Sequence, residues 1–154
     1  MRVITSMSVT PDVALVTLSK APAGSAFVSR LFQALTELGV NVDMISQTAL
    51  TGPYVALNFT ARGDDIGKIM EIAARIREKH PTVKLLVSSN NVKISLYGEK
   101  MPEHAGIASG VFDVISHCEA DILLITTSSV DISILVDGAL ADECTAALKE
   151  KYNL

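Results

Sequence analysis

With 154 residues and a mass of 16.4 kDa, the chain has room for one domain of ordinary size or two of about 70 residues each. Hydrophobic residues at 49% and charged residues at 19% exclude intrinsic disorder, and a net charge of −4 leaves no basic footprint for nucleic acid. Aromatic residues make up 5% and Trp is absent, so the core must be built from Val, Ile, Leu and Ala.

In chain order, Arg2 to Ser8 is a strand-like segment. Val13 to Leu18, rich in β-branched residues, reads as a strand. Pro22 to Ser25 follow as a loop. Val28, Leu31, Phe32, Leu35 and Leu38 then fall at helical spacing, and Gly39 supplies the stop. Val40 to Gln47 reads as a strand ending in the turn Thr51-Gly52-Pro53, with Tyr54 to Thr60 as its hairpin partner. Gly63, Asp64 and Asp65 open a second helix, where acidic groups suit the N-terminus. Its stripe is Ile66, Ile69, Met70, Ala73 and Ile76, and Pro81 prevents continuation. Val83 to Ser88 completes a β-α-β-β-α-β unit, the ferredoxin-like arrangement.

The second half repeats the first. Val92 to Tyr97 is a strand, and Lys100 to His104 a loop. Ala108, Val111, Phe112, Ile115 and Cys118 reproduce Val28, Leu31, Phe32, Leu35 and Leu38 at a constant offset of 80, as Ile122 and Ile125 reproduce Val42 and Ile45. Val130 to Val136 is a strand, and Leu140 to Tyr152 a helix with Asp137 as candidate N-cap. This repeat lacks its last strand, while Arg2 to Ser8 is spare. The expectation is therefore an α+β chain of two ferredoxin-like domains: residues 12–89, and residues 1–11 plus 90–154. The first would be inserted in the second, with the N-terminal strand completing the second sheet.

Catalytic signatures are missing. Gly63-Asp64-Asp65-Ile66-Gly67-Lys68 is one residue short of a P-loop, Ile69 replaces the magnesium-binding hydroxyl, and its carboxylates would repel phosphate. Cys118 lies beside His117 but occupies the core stripe, which predicts an inert buried thiol, and Cys144 falls on the apolar face of the last helix. Two cysteines alone build neither a disulfide framework nor a four-ligand zinc site. No cofactor, metal or catalytic residue is expected. Cysteine usage and the absence of an apolar segment in Met1 to Asp12 predict a reduced, cytoplasmic protein. Ile122 to Val136 is too short and polar to span a membrane.

One feature recurs in both repeats: a loop leads into a helix start, and polar residues end a nearby strand. The first set is Ser25, Ala26 and Phe27 with Asp43 and Gln47. The second is His104, Ala105, Gly106 and Ile107 with Thr126, Thr127 and Ser128. Free N–H groups at a helix start attract a carboxylate, and the polar side chains suit an amino group, so the pair of sets predicts a free amino acid as ligand. Ordinary caps and strand ends are the competing explanation.

At these residues the sequence resembles a known family. The run Leu35 to Gln47 looks like the start of the first ACT domain of aspartokinases. His104 to Ala108, Ile125 to Ser128 and Val130 to Asp137 resemble the second, and Ala146 to Leu154 resembles the end of those enzymes. The likeness covers essentially the whole chain, without the kinase domain. It implies tandem ACT modules that bind an amino-acid effector, lysine or threonine, pair with a second copy as homo-oligomers, and regulate a kinase subunit. Two departures stand out. Ala23 replaces the acidic residue of the family's Asp-x-Pro-Gly turn, and Ser129 replaces the frequent Glu after Thr-Ser. The first site keeps Asp43 and Gln47 for an ammonium group, whereas no carboxylate lies close in sequence to Thr127, so the first site is expected to be the stronger. A ligand-free dimerisation module and the regulatory part of a complete aspartate kinase stay open as alternatives.

Overall fold

The computed structural model describes residues 2–154. It is mixed α and β, and the chain divides into two compact units, Val13–Ser89 and Met1–Asp12 with Asn90–Leu154. The elements in chain order are β1 (Ser6–Pro22), α1 (Ser25–Glu37), β2 (Ile45–Gln47), β3 (Tyr54–Arg62), α2 (Ile66–Lys79) and β4 (Lys84–Tyr97). They are followed by α3 (Ile107–His117), β5 (Leu124–Thr127), β6 (Asp131–Asp137) and α4 (Gly138–Tyr152).

In the Val13–Ser89 unit the strand order is β2-β3-β1-β4, with β3 antiparallel to both β1 and β2. In the other unit it is β1-β4-β6-β5, with β6 antiparallel to both β4 and β5. Both are the ferredoxin-like order, in which the first and third strands of the motif lie at the centre. Each unit has its own core. Val16, Leu18, Leu57 and Phe59 pack under Phe27, Leu31 and Leu35 of α1 and Ile69 and Ile72 of α2. Ile94, Leu96, Ile132 and Ile134 pack under Val111 and Ile115 of α3 and Cys144 and Leu148 of α4. Ile4 and Val3 join this second core, and the Thr5 N–H donates to the Tyr97 carbonyl (2.8 Å).

The two helices related by the offset of 80 end alike. After α1 the Gly39 N–H donates to Thr36 and the Val40 N–H to Leu35, a Schellman closure with Gly39 at φ 73°. After α3 the same two bonds run from Glu119 to Ser116 and from Ala120 to Ile115, but the left-handed position is filled by Glu119 at φ 55°. A left-handed non-glycine residue costs about 1 kcal/mol. Glu119→Gly is therefore expected to raise the unfolding free energy by about 1 kcal/mol, read from the urea midpoint. The Asp137 cap expected from the sequence is present: its carboxylate accepts from the Ala139 N–H at 2.9 Å.

Several element limits differ from the sequence reading. Arg2 to Ser8 and Val13 to Leu18 do not form two strands; Ser6–Pro22 is continuous, and Lys84–Tyr97 likewise joins the two strands expected at Val83 to Ser88 and Val92 to Tyr97. Asp12 and Asn90, at φ 54° and 58°, sit where the breaks were expected. Both residue types tolerate the left-handed region, so they kink a strand without ending it. The strand expected over Val40 to Gln47 shrinks to Ile45–Gln47. Val40 and Met44 are buried ahead of it, and the Met44 carbonyl still accepts from the Thr60 N–H (3.0 Å) just outside the strand. Gly63–Asp65 forms a 3₁₀ turn, and α2 proper starts at Ile66.

Candidate functional site

Both helix starts leave backbone donors open. The first-turn N–H groups of a helix have no partner within it. Gly24 caps α1 and Gly106 caps α3, and neither can offer a side-chain acceptor. Gly24, at φ 125° and ψ 150°, holds a backbone conformation that is essentially glycine-only. Ser25 and Ala26 are exposed, and Phe27 turns its ring into the core. In the second unit Ala105 and Gly106 are exposed and Ile107 is half-buried.

The strand ends differ between the units. In the second, Thr127 pairs with Ile132, which also pairs with Leu96 one residue before β4 ends. Thr126 and Thr127 thus stand at the end of the sheet from which the chain leaves towards α3. Ser128 stands there too, but its hydroxyl accepts from the Val130 and Asp131 N–H groups, both at 3.2 Å, and so closes the β5–β6 turn. His104 lies before α3 with its Nδ1–H donated to the Lys100 carbonyl (3.1 Å), which fixes the ring to its own loop.

In the first unit Gln47 pairs with Leu57, which pairs with Leu18 near the end of β1, so Gln47 stands at the α1-start end. Asp43 does not. Its N–H donates to the Thr60 carbonyl, and Thr60 pairs with Leu15, whereas α1 starts just beyond Pro22, paired with Tyr54. Those levels are about 20 Å apart along extended chain. Within one chain, Asp43 and the Ser25–Phe27 turn therefore do not meet.

The expectation that no carboxylate lies close in sequence to Thr127 is wrong, since Asp131 follows it by four residues across the β5–β6 turn. Asp131 pairs across from Tyr97 at the same sheet end as Thr127, and its Oδ2 accepts from the Ser133 hydroxyl (3.1 Å). Glu99 Oε1 accepts from the Tyr97 hydroxyl at 3.4 Å. The Tyr97 phenol is raised above its ordinary range, by desolvation and by the Glu99 charge beside it. Both groups are near in sequence to the residues they flank, and the strand register sets them at this end of the sheet.

Among the described residues no group of three or more His, Cys, Asp or Glu side chains is placed to hold a metal, and no helix is long and apolar enough to cross a membrane. Cys118 and Cys144 are free and buried. Burial, with a smaller contribution from the neighbouring Cys118, pushes the Cys144 thiol up to about 11. The thiolate is the reactive form, so Cys144 in the folded chain should resist iodoacetamide at pH 8 and react only after unfolding. A raised thiol pKa stabilises the fold below the ordinary value of 9.0 and loses that contribution as pH rises through about 11. The urea midpoint of wild type relative to Cys144→Ser should fall across that window. A flat difference would show that Cys144 does not titrate differently on unfolding.

Residues 94–152, from β4 through α4, match the sequence profile of the ACT domain family. This segment is similar to an ACT domain. The aspartokinase of Corynebacterium efficiens is 25% identical to the chain over 154 residues, and that of Helicobacter pylori 26% over 152. The alignments take in 99% of this chain but 37% of each enzyme, so the chain spans little more than a third of these relatives. The regulatory subunit of aspartate kinase from Thermus thermophilus superposes with a TM-score of 0.86 at 22% identity, covering 97% of this chain and 98% of that one. Aspartate kinase from Synechocystis superposes with a TM-score of 0.91 at 23% identity over 99% of this chain and 27% of the enzyme. ACT fold and likeness thus lie in the regulatory region of aspartokinases; the kinase domain is not covered. The matched ACT segment contains His104 to Ile107 and Thr126 to Ser128, whereas Ser25 to Phe27, Asp43 and Gln47 lie outside it.

Proposed function

We propose that the chain is an amino-acid-sensing regulatory unit of the aspartokinase kind, built from paired ACT modules at residues 12–89 and at residues 1–11 plus 90–154. One observation carries this reading. In each ferredoxin-like unit a glycine-capped helix start, with its backbone donors open, lies at the sheet end where polar strand residues emerge. Such a start takes a carboxylate. The effector would be lysine or threonine, and the regulated partner a catalytic kinase domain or subunit. Escherichia coli aspartokinase III has been crystallised with lysine and aspartate, and its chain superposes here with a TM-score of 0.72 at 19% identity.

In the first unit the ammonium group would be held by Asp43 of a second copy. The register keeps a chain's own Asp43 from its own helix start, and Asp43 is exposed beside the short strand β2, which pairs on one side with β3. Calorimetric titration with a panel of amino acids tests this. Losing a charge-assisted hydrogen bond costs roughly 1.5–3 kcal/mol, or about tenfold or more in affinity. Asp43→Asn should weaken binding on that scale, and Thr127→Ala should weaken it less. Unchanged affinity in the Asp43 variant would move the site to the second unit. The competing reading, a pairing module without a ligand, draws on Ala23 and Ser129 standing where the family carries acidic residues. Silence with every amino acid would favour it.

A further inference from the structure

The Val13–Ser89 unit holds a cleft between α1 and α2, bounded at one end by the Phe27 side chain from the first turn of α1. It has a volume of about 160 Å³ and is lined by Phe27, Leu31 and Ala34 of α1, Ile72 and Ile76 of α2, and the cations Arg30, Arg75 and Lys79 with His80. The floor is apolar and closed. Phe27, Leu31 and Ile72 are buried, and the His80 ring meets the Phe27 ring edge-on at 5.6 Å, walling one end. The cations are exposed at the rim. Arg75 pairs with Glu71 at 2.8 Å, and Arg30 Nε donates only to the Ala26 carbonyl of its own helix.

This charge runs against the chain as a whole, whose net charge is −4. Nor is it required by the fold. The groove between α3 and α4 lies further along, at the C-terminal half of α3, and includes Asp113, Glu143 and Glu150 with His117 and Lys151. In the second repeat the position of Arg30 is taken by Gly110.

We propose that the α1–α2 cleft binds a small organic monoanion with a single apolar body, of the class of aryl carboxylates. Three observations select that chemistry. A cavity of roughly 150 Å³ lined by apolar side chains accommodates one benzene-sized group. Guanidinium groups at the mouth match a carboxylate in bidentate geometry. The cleft's lining contains no carboxylate, and Glu71 beside it is engaged by Arg75, so an added ammonium group would face cations alone. The ligand is thus a carboxylic acid without an amino group, chemically distinct from the effector of the helix starts. This site stands independently of the effector reading.

The test is a titration of the full chain with 3-phenylpropanoate, followed through amide and side-chain NMR shifts. Saturable shifts are expected at Phe27, Arg30, Ile76 and His80. The uncharged 3-phenylpropanamide and the zwitterion phenylalanine should each bind at least tenfold more weakly. Arg30→Gln with Lys79→Gln changes only exposed side chains and should lower affinity about tenfold while leaving the urea midpoint in place. Absence of saturation at millimolar ligand, equal binding of the amide, or indifference to the double variant would each overturn the proposal. Inorganic phosphate reproducing the full shift pattern would overturn the apolar requirement. Shifts of the same residues on concentrating the protein alone would assign the cleft to a second copy instead.

Discussion

Gly98→Ala is expected to lower the unfolding free energy by about 3 kcal/mol, the upper part of the range for forced overpacking. A Cβ at this position would overlap the carbonyl group of Val3, which is backbone and cannot rotate aside. Gly98 also sits between two fixed bonds: its N–H donates to Val130, and its carbonyl accepts from Met101. The response must come from Val3 and Ile4, whose side chains belong to the second core. Urea denaturation gives the size of the effect, and amide exchange gives its place, since the Thr5 N–H bonded to Tyr97 should lose protection first. Gly52→Ala is the control. Nothing lies within 4 Å of its Cβ position, so the change should stay within about 0.5 kcal/mol. An unaltered midpoint in Gly98→Ala would show that the approach of Val3 is not maintained in solution.

Phe59→Ala should cost about 3–5 kcal/mol, a large part of a domain's total stability. Phe59 is 1% exposed, pairs with Val16 across the sheet and meets the Phe32 ring edge-on at 5.8 Å. It is the largest fully buried side chain among the described residues, so its removal leaves the largest single cavity the core can hold. Leu86→Ala, at 68% exposure, should change the midpoint hardly at all. A loss below about 1 kcal/mol for Phe59→Ala would mean that the first core collapses onto the cavity.

The parts of the fold that announce themselves in the sequence are those with a local cause. The stripes of α1 and α3 carry the offset of 80 because each must place the same residues over a sheet. Asp137 caps α4 by a bond to a residue two positions on. What escaped was non-local. Asp12 and Asn90 look like strand breaks, and only pairing with neighbouring strands shows that the chain continues through them. The run from Val40 to Met44 reads as a strand, and Val40 and Met44 are buried ahead of the shorter one that forms. In the candidate sites, the helix starts were legible from glycine and small residues. The level of Asp43 along the sheet, the nearness of Asp131 to Tyr97, and a cleft joining Arg30 to Lys79 all depend on register or on helix pairing.

The bond from Thr5 to the Tyr97 carbonyl joins residues 92 positions apart. A ribosome adding about 5–20 residues per second makes Tyr97 only some 5–20 s after Thr5. Throughout that interval the N-terminal segment has emerged without its eventual neighbour, while Val13–Ser89 can already close on contacts of its own. Closing Val13–Ser89 first would draw Asp12 and Asn90 together and shorten the loop that the later pairing must close. The order of synthesis thus favours the unit made of one continuous segment, and leaves Val3 and Ile4 as apolar side chains awaiting the last third of the chain.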